Sequence, residues 1–235
     1  WELWQVYRMP TVAIPTNRPC IREQLPDRAF ANRRAKWQAV VTEIRHIHGF
    51  GRPILVGVRN ISDSEELSGL LTSEGLEHEV LNAVRHEHEA HIVAEAGQPG
   101  RITVATNMAG RGTDIKLGRD VAAGGGLHVI ATERQLDRRV DRQLQGRAGR
   151  QGDPGSARIF VSLDDELPHR FAPCFTATLR RLYGQMEQEI TGPLIHQLFS
   201  QAQHRAEKLA RKQRKQVLRS DDWLEEFLGF TGGDF

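Results

Sequence analysis

The stretch Gln143-Leu144-Gln145-Gly146-Arg147-Ala148-Gly149-Arg150-Gln151-Gly152-Asp153-Pro154-Gly155 sets two arginines three residues apart among four glycines. Glycine lets a backbone approach a phosphate closely, and guanidinium is a planar fork that matches phosphate oxygens. The chemistry these types could do is to meet the charge that develops on a phosphoryl group in transfer. A simpler use is also open: arginines after a helix can cap its carboxyl end, which favours cations. A second glycine turn lies upstream, Thr106-Asn107-Met108-Ala109-Gly110-Arg111-Gly112-Thr113-Asp114-Ile115. Gly110 and Gly112 permit a tight backbone path, and Arg111 could join the network. Asp114 is a natural partner for an arginine of the other turn, or for ribose hydroxyls. Both turns follow strands or helix ends, where open α/β sheets place ligands.

Other parts of a phosphoryl-transfer site are missing from the sequence. It has no GxxxxGK[ST] loop to hold β- and γ-phosphates, and no Asp-Glu pair in a motor context to place magnesium. The nearest acidic cluster, Asp164-Asp165-Glu166, follows the last apolar strand. The histidines of His86-Glu87-His88-Glu89-Ala90-His91 miss the four-residue spacing of HExxH, so no metal site is expected.

The elements that must position these turns read as alternating strands and helices. Val40, Val41, Ile44 and Ile47 give a buried face to a helix over 35–48. Pro53 to Val58 is a continuous apolar run, as in a strand covered on both faces. Ser62-Asp63-Ser64-Glu65 reads as a capping box for a helix with Leu67, Leu70 and Leu71 inward, stopped at Gly75. Glu79–Asn82, Ile102–Ala105, Leu127–Ala131 and Ala157–Leu163 read as further strands, the last with Arg158 as a polar intruder. Helices are expected over Glu87–Ala96 and from about Glu133. This rhythm predicts a mostly parallel sheet with helices on both faces. Residues 1–34, interrupted by Pro10, Pro15, Pro19 and Pro26, read as a linker segment with one strand at Thr11–Ile14. Residues 35–168 read as one α/β domain and 169–235 as a helical extension, with helices over 175–190 and 194–228.

At 235 residues the chain can bury a substantial core. Its net charge of +2 gives no broad field for nucleic acid, which is not an expected partner. Its two cysteines, Cys20 and Cys174, make no disulfide framework or zinc pattern, consistent with a reducing cytosol. No run of 18 apolar residues predicts a membrane span.

The two turns resemble motifs V and VI of superfamily 2 helicase-like ATPases. More narrowly, ATNMAGRGTDI, GGLHVIATER and QLQGRAGRQGDPG resemble the SecA family of ATP-driven protein-export motors. The resemblance extends to Ile14-Pro15-Thr16-Asn17-Arg18-Pro19, Pro53–Val58 and Val80–Ala83, and covers about residues 10 to 170, the tail more loosely. It implies a RecA-like fold of P-loop NTPase type, with ATP and Mg²⁺ bound mainly by a first motor domain outside this sequence. It implies that Arg150 is an arginine finger supported by Arg147, that Asp153 contacts nucleotide, and that Gln143 holds the geometry of the turn. Gly110, Gly112, Thr113, Asp114 and Gly146 join them as nucleotide-facing positions, Thr113 and Asp114 coupling nucleotide state to the interface between motor domains. The implied partners are that first motor domain, a preprotein and a SecYEG-type channel at the inner membrane, with the protein cytoplasmic and peripheral. The chain alone is expected to lack ATPase activity; the alternative readings are a non-catalytic regulatory or interaction domain that keeps the motifs, or a superfamily 2 nucleic-acid helicase module. Gln135-Leu136-Asp137 departs from the family's His-Glu-Ser. The absence of an initial methionine and the early stop at Phe235 suggest part of a shortened, accessory form. Arg205, Lys208, Arg211, Lys212, Arg214, Lys215 and Arg219 in the last helix spread around it; they read as a solvated face or as attraction to acidic lipids or nucleic acid.

Overall fold

The computed structural model describes residues 4, 8–81, 92, 95–106 and 114–231, the side chains of 221–231 excepted. Among these residues seven strands form one sheet: β1 (Glu23–Gln24), β2 (Arg28–Phe30), β3 (Ile54–Val58), β4 (Glu79–Leu81), β5 (Ile102–Thr106), β6 (Leu127–Ala131) and β7 (Gly155–Ser162). Its order is β1-β7-β6-β3-β5-β4, with β2 following β1 along the outer edge of β7, and every pairing is parallel. The central strand β3 is buried throughout, which its run Ile-Leu-Val-Gly-Val requires.

Helices cover both faces. On one, α1 (Arg33–His48) and α2 (Ile61–Ser73) press Trp37, Val40, Ile44, Leu67 and Leu71 onto Ile54, Val56, Val104 and Ile130. On the other, α3 (Arg138–Gln145) lies over β3 and β6. Beyond it α4 (Glu166–Phe171), α5 (Pro173–Tyr183) and the long α6 (Pro193–Thr231) bury Leu167, Leu179, Ile195, Leu198, Phe199 and Ala202 against Ala131, Ile159 and Val161.

Several local expectations are corrected. Thr11–Ile14 is not a strand; Val12 and Ile14 are 83% and 87% exposed, and among the described residues none pairs with them. The outer edge of β7 is instead taken by residues 23–24 and 28–30, which bury Ala29 and Phe30. The cap of α2 is Asn60, whose side chain accepts from Asp63 N at 2.7 Å, not Ser62. The helix expected from Glu133 begins at Arg138, because Asp137 is extended and accepts from Arg139 N at 2.9 Å. The helix expected over 175–190 is α5, which starts earlier, at Pro173, and stops at Gly184, short of residue 190. The helix expected over Glu87–Ala96 and the His86–His91 cluster lie almost wholly outside the described residues.

Arg158, the intruder in β7, is explained by Glu43 on α1, which accepts from its Nη1 at 2.7 Å. The carboxylates of 164–166 are likewise engaged. Asp165 takes Lys36 Nζ at 2.5 Å and Ser162, Asp164 takes Arg33 N and Arg180, and Glu166 takes Arg59 and Arg170.

Candidate functional site

The arginine loop hangs from α3. Leu144 of that helix seats on Gly57, where an added Cβ would lie 2.8 Å from Leu144 Cδ1 and closer still to Cδ2. The absence of a side chain at Gly57 thus lets α3 lie against the middle of the sheet. The chain then turns sharply: Gly149, Gln151 and Gly152 all take positive φ (65°, 55° and 83°). Gln151 is the costly member, since a non-glycine residue is strained there.

Space at Gly149 and Gly152 is filled by a strap, residues 16–22, that crosses the loop. A Cβ on Gly149 would sit 2.6 Å from Arg22 Cβ, and one on Gly152 3.0 Å from Arg18 Cβ. Arg22 Nη1 donates to Ala148 O at 3.2 Å and Arg18 Nη1 to Gln151 O at 3.4 Å. Beside them opens a cavity of about 390 Å³ lined by Thr16, Asn17, Arg18, Cys20, Gly149, Gln151 and Gly152.

Arg150 and Asp114 meet. Nη1 of Arg150 lies 2.6 Å from Asp114 Oδ1, and Gln151 Nε2 reaches Asp114 Oδ2 at 3.3 Å. Arg150 Nε also donates to Gly146 O at 3.2 Å, so it caps the end of α3 while its fork faces Asp114. Arg147 is half-buried, and burial, followed by the charge of Arg150, lowers its pKa from the usual guanidinium value; Asp114 opposes this. Arg18, Arg22, Arg147 and Arg150 therefore lie on or beside one glycine loop, which Asp114 also meets. Guanidiniums gathered in this way, with the charge of Arg150 bearing on Arg147, fit a polyanionic ligand such as a nucleotide polyphosphate. The Arg150–Asp114 pair is about four-tenths exposed, so its side chains are free to exchange partners.

Of the remaining expected positions, Gly110, Arg111, Gly112 and Thr113 lie outside the described residues. Asp153 is half-buried and its N–H closes the turn on Arg150 O at 2.9 Å. Gln143 is exposed on α3; the polar residues of that helix turned inward are Asp141 and Gln145. The loop lies beside the starts of β6 and β7, since a Cβ on Gly155 would touch Ala148 Cβ, Gly149 N and Leu127 O. The carboxyl-edge rule for parallel sheets thus does not place it; α3, running back across the sheet, does. Sequence reasoning missed the strap arginines Arg18 and Arg22. Their signal was the polar insertion Thr-Asn-Arg between Pro15 and Pro19.

The family model described as the SecA P-loop domain matches residues 19–124 and 119–186. The chain belongs to the SecA family. It is 48% identical over 229 residues to the protein translocase subunit SecA of Bacteroides fragilis, covering 96% of this chain and 20% of that protein. Against the SecA of Syntrophobacter fumaroxidans it is 47% identical over 229 residues, covering 96% and 27%. This SecA-family chain thus spans about a fifth to a quarter of the curated relatives it matches. Among solved structures it is similar to the yeast DEAD-box splicing factor Prp28 (TM-score 0.54, 16% identity, 80% of this chain and 39% of that one). It is also similar to the E. coli DEAD-box protein SrmB bound to RraA (TM-score 0.51, 21% identity, 64% and 82%). At such identities the likeness establishes the fold alone, a RecA-like parallel sheet flanked by helices.

Proposed function

We propose that this chain is the second nucleotide-binding half of a SecA-type ATPase motor that drives polypeptide across the bacterial inner membrane. Residues 35–168 form its nucleotide-facing domain, 1–34 the linker from a first motor domain, and 169–235 the start of a helical scaffold. The observation that carries the reading is the Arg150–Asp114 pair on a glycine loop ringed by Arg147, Arg18 and Arg22, in a chain of this family. Arg150 faces the γ-phosphate side as the finger, and Arg147 keeps the field positive behind it. Gly146, Gly149 and Gly152 bring the backbone close, and Asp114 holds Arg150 in reserve. ATP supplies the phosphoryl group, and Mg²⁺ is held by the first domain, because the sequence has no phosphate-binding lysine loop. The partners are that first domain, a preprotein and a SecYEG-type channel, with acidic lipids approached by the basic part of α6 from the cytoplasmic side.

A chimera tests this: the present chain replaces the matched segment of Bacteroides fragilis SecA. The isolated chain is expected to release no phosphate from ATP above a heat-killed control, and the chimera is expected to release it. Arg150→Ala in the chimera lowers kcat about 10³-fold while nucleotide affinity falls far less, and Arg150→Lys rescues poorly. An unchanged kcat in Arg150→Ala removes the finger from the mechanism.

A further inference from the structure

Among the described side chains of the long helix α6, Gln203 is the buried polar one. Its neighbours on that face, Phe199, Ala202 and Ala206, are apolar core, yet Gln203 is wholly buried among them with a primary amide. Burying an amide is costly unless it is hydrogen-bonded, and here both of its polar atoms are hydrogen-bonded. Nε2 donates to Asp141 Oδ2 at 2.6 Å and to Gln135 O at 2.9 Å. Oε1 accepts from Arg134 Nη1 at 3.3 Å, and Arg134 in turn clasps Asp27. Asp141, also buried, takes Gln135 N on its other oxygen at 2.9 Å. One turn further along α6, Glu207 accepts from the backbone N–H of Arg138, the first residue of α3, at 3.1 Å.

These contacts converge on α3, the short helix that ends in Gly146 and the arginine loop. α3 is therefore held at two points. Leu144 seats on Gly57 in the sheet, and Asp141 with Arg138 is tied to α6. A rod with one seat on the sheet and one tie to a second helix turns about the seat when that helix moves. Arg147 and Arg150 lie just past the seat. We propose that Gln203 is a positioning residue, which sets the tilt of α3 through Asp141 and thereby fixes where Arg147 and Arg150 reach. The proposal rests on the reading of the arginine loop as a polyphosphate site. A displacement of about 1 Å at such a group is enough to cost about 10²-fold in rate. Around this tie Gln135 offers its backbone, its O to Gln203 and its N–H to Asp141, and Asp137 caps α3.

The test uses the whole chain with arginine Nε labelled by ¹⁵N, the Arg147 and Arg150 signals being assigned from Arg147→Lys and Arg150→Lys. Gln203→Met keeps the bulk and removes the bonds. Without ligand it is expected to shift the Arg150 signal and speed amide exchange over 146–152. It is expected to weaken binding of inorganic tripolyphosphate about 2- to 30-fold, the range typical of residues that couple sites. Leu198→Val, which loosens α6 without touching Asp141, is the control and should leave all three near wild type at a comparable loss of Tm. Gln203→Glu sets two carboxylates face to face and should disturb the Arg150 signal; adding Asp141→Asn should restore it, and this pair decides the matter if Gln203→Met does not fold. An unmoved Arg150 signal in Gln203→Met, equal effects in Leu198→Val, or no rescue in the double change overturns the proposal. If wild type fails to bind tripolyphosphate while the Arg150 signal still follows Gln203, the polyphosphate reading fails and the positioning role stands. If wild type binds and Gln203→Met binds equally well, the positioning role fails alone.

Discussion

Glu133 stands at the carboxyl end of β6 with its side chain 8% exposed, and its Oε1 has no hydrogen-bond donor. The nearest cation, Arg59 Nε, is 3.6 Å away and shared with Glu166. Burial first, and then the charge of Asp165, push the Glu133 pKa from 4.5 up to about 7; Arg59 and Lys36 oppose this, and Asp63 adds to it. The folded-state pKa is raised, so the folded form is favoured while Glu133 is protonated and loses that advantage as pH rises from 4.5 through about 7. At about 1.4 kcal/mol per pKa unit, the full swing is up to about 3 kcal/mol. Glu133→Gln keeps the shape and removes the titration. The variant should match wild type near pH 5 and exceed it at pH 8 by up to about 3 kcal/mol, or about 6–12 °C in Tm for a chain of this size. Urea and thermal unfolding at intervals from pH 5 to pH 9, followed by circular dichroism, would read the difference. Parallel stability curves for the two proteins, offset by a constant, would refute the argument that this carboxyl is desolvated.

His128 should act in the opposite direction. Burial, then Arg52 and Arg158, hold its pKa down at about 3, so stability is full above pH 6.5 and falls as pH drops toward 3. Titration of its ring signals by NMR should show it neutral at pH 5, and a protonated ring there would contradict the burial. Gly57→Ala should destabilise by about 1–3 kcal/mol through overlap with Leu144, and Leu144→Ala should recover part of the loss; simple additivity of the two would dissociate Gly57 from α3. The basic run of α6 is sorted by the fold. Arg205 caps Phe171 O, Arg211 and Arg214 are half-buried, and Lys208, Lys212, Lys215 and Arg219 form an exposed stripe at four- and three-residue spacing. Changing those four to Gln should abolish low-salt co-sedimentation with acidic vesicles, and equal pelleting of both proteins would reduce the stripe to a solvated surface.

The central strands were legible because a strand buried on both faces must be apolar throughout, and β3, β5 and β6 are nearly so. Edge strands carry no such mark. Glu23–Gln24 and Arg28–Phe30 are strands only because β7 offers them an edge, and Val12 and Ile14, better strand formers, have none. The meeting of Asp114 with Arg150 was legible as matched charge on two glycine turns. The strap was not, because Arg22 and Ala148 lie 126 residues apart and the bond is to a backbone oxygen, which leaves no pattern in residue types. Gln203 was half legible: its position continues the apolar face of Phe199, Ala202 and Ala206, and a polar residue on such a face needs a partner. The partner's identity, on a helix 62 residues upstream, belongs to tertiary structure.

The arginine loop has little of its own to fix it. Its ion pair of Arg150 with Asp114 is exposed enough to contribute no more than about 1 kcal/mol, and its backbone carries a strained Gln151. Its geometry is instead imposed from outside by three distant segments: the strap through Arg18 and Arg22, the sheet through Gly57, and α6 through Gln203. A site held this way is stiff while its three supports agree and shifts as a unit when one moves. That is what the proposed motor would require of a residue that must be well aimed at one stage of a cycle and withdrawn at another. It also separates two failures that activity alone would merge: loss of the guanidinium itself, which leaves the loop in place, and loss of a support, which leaves the guanidinium misdirected.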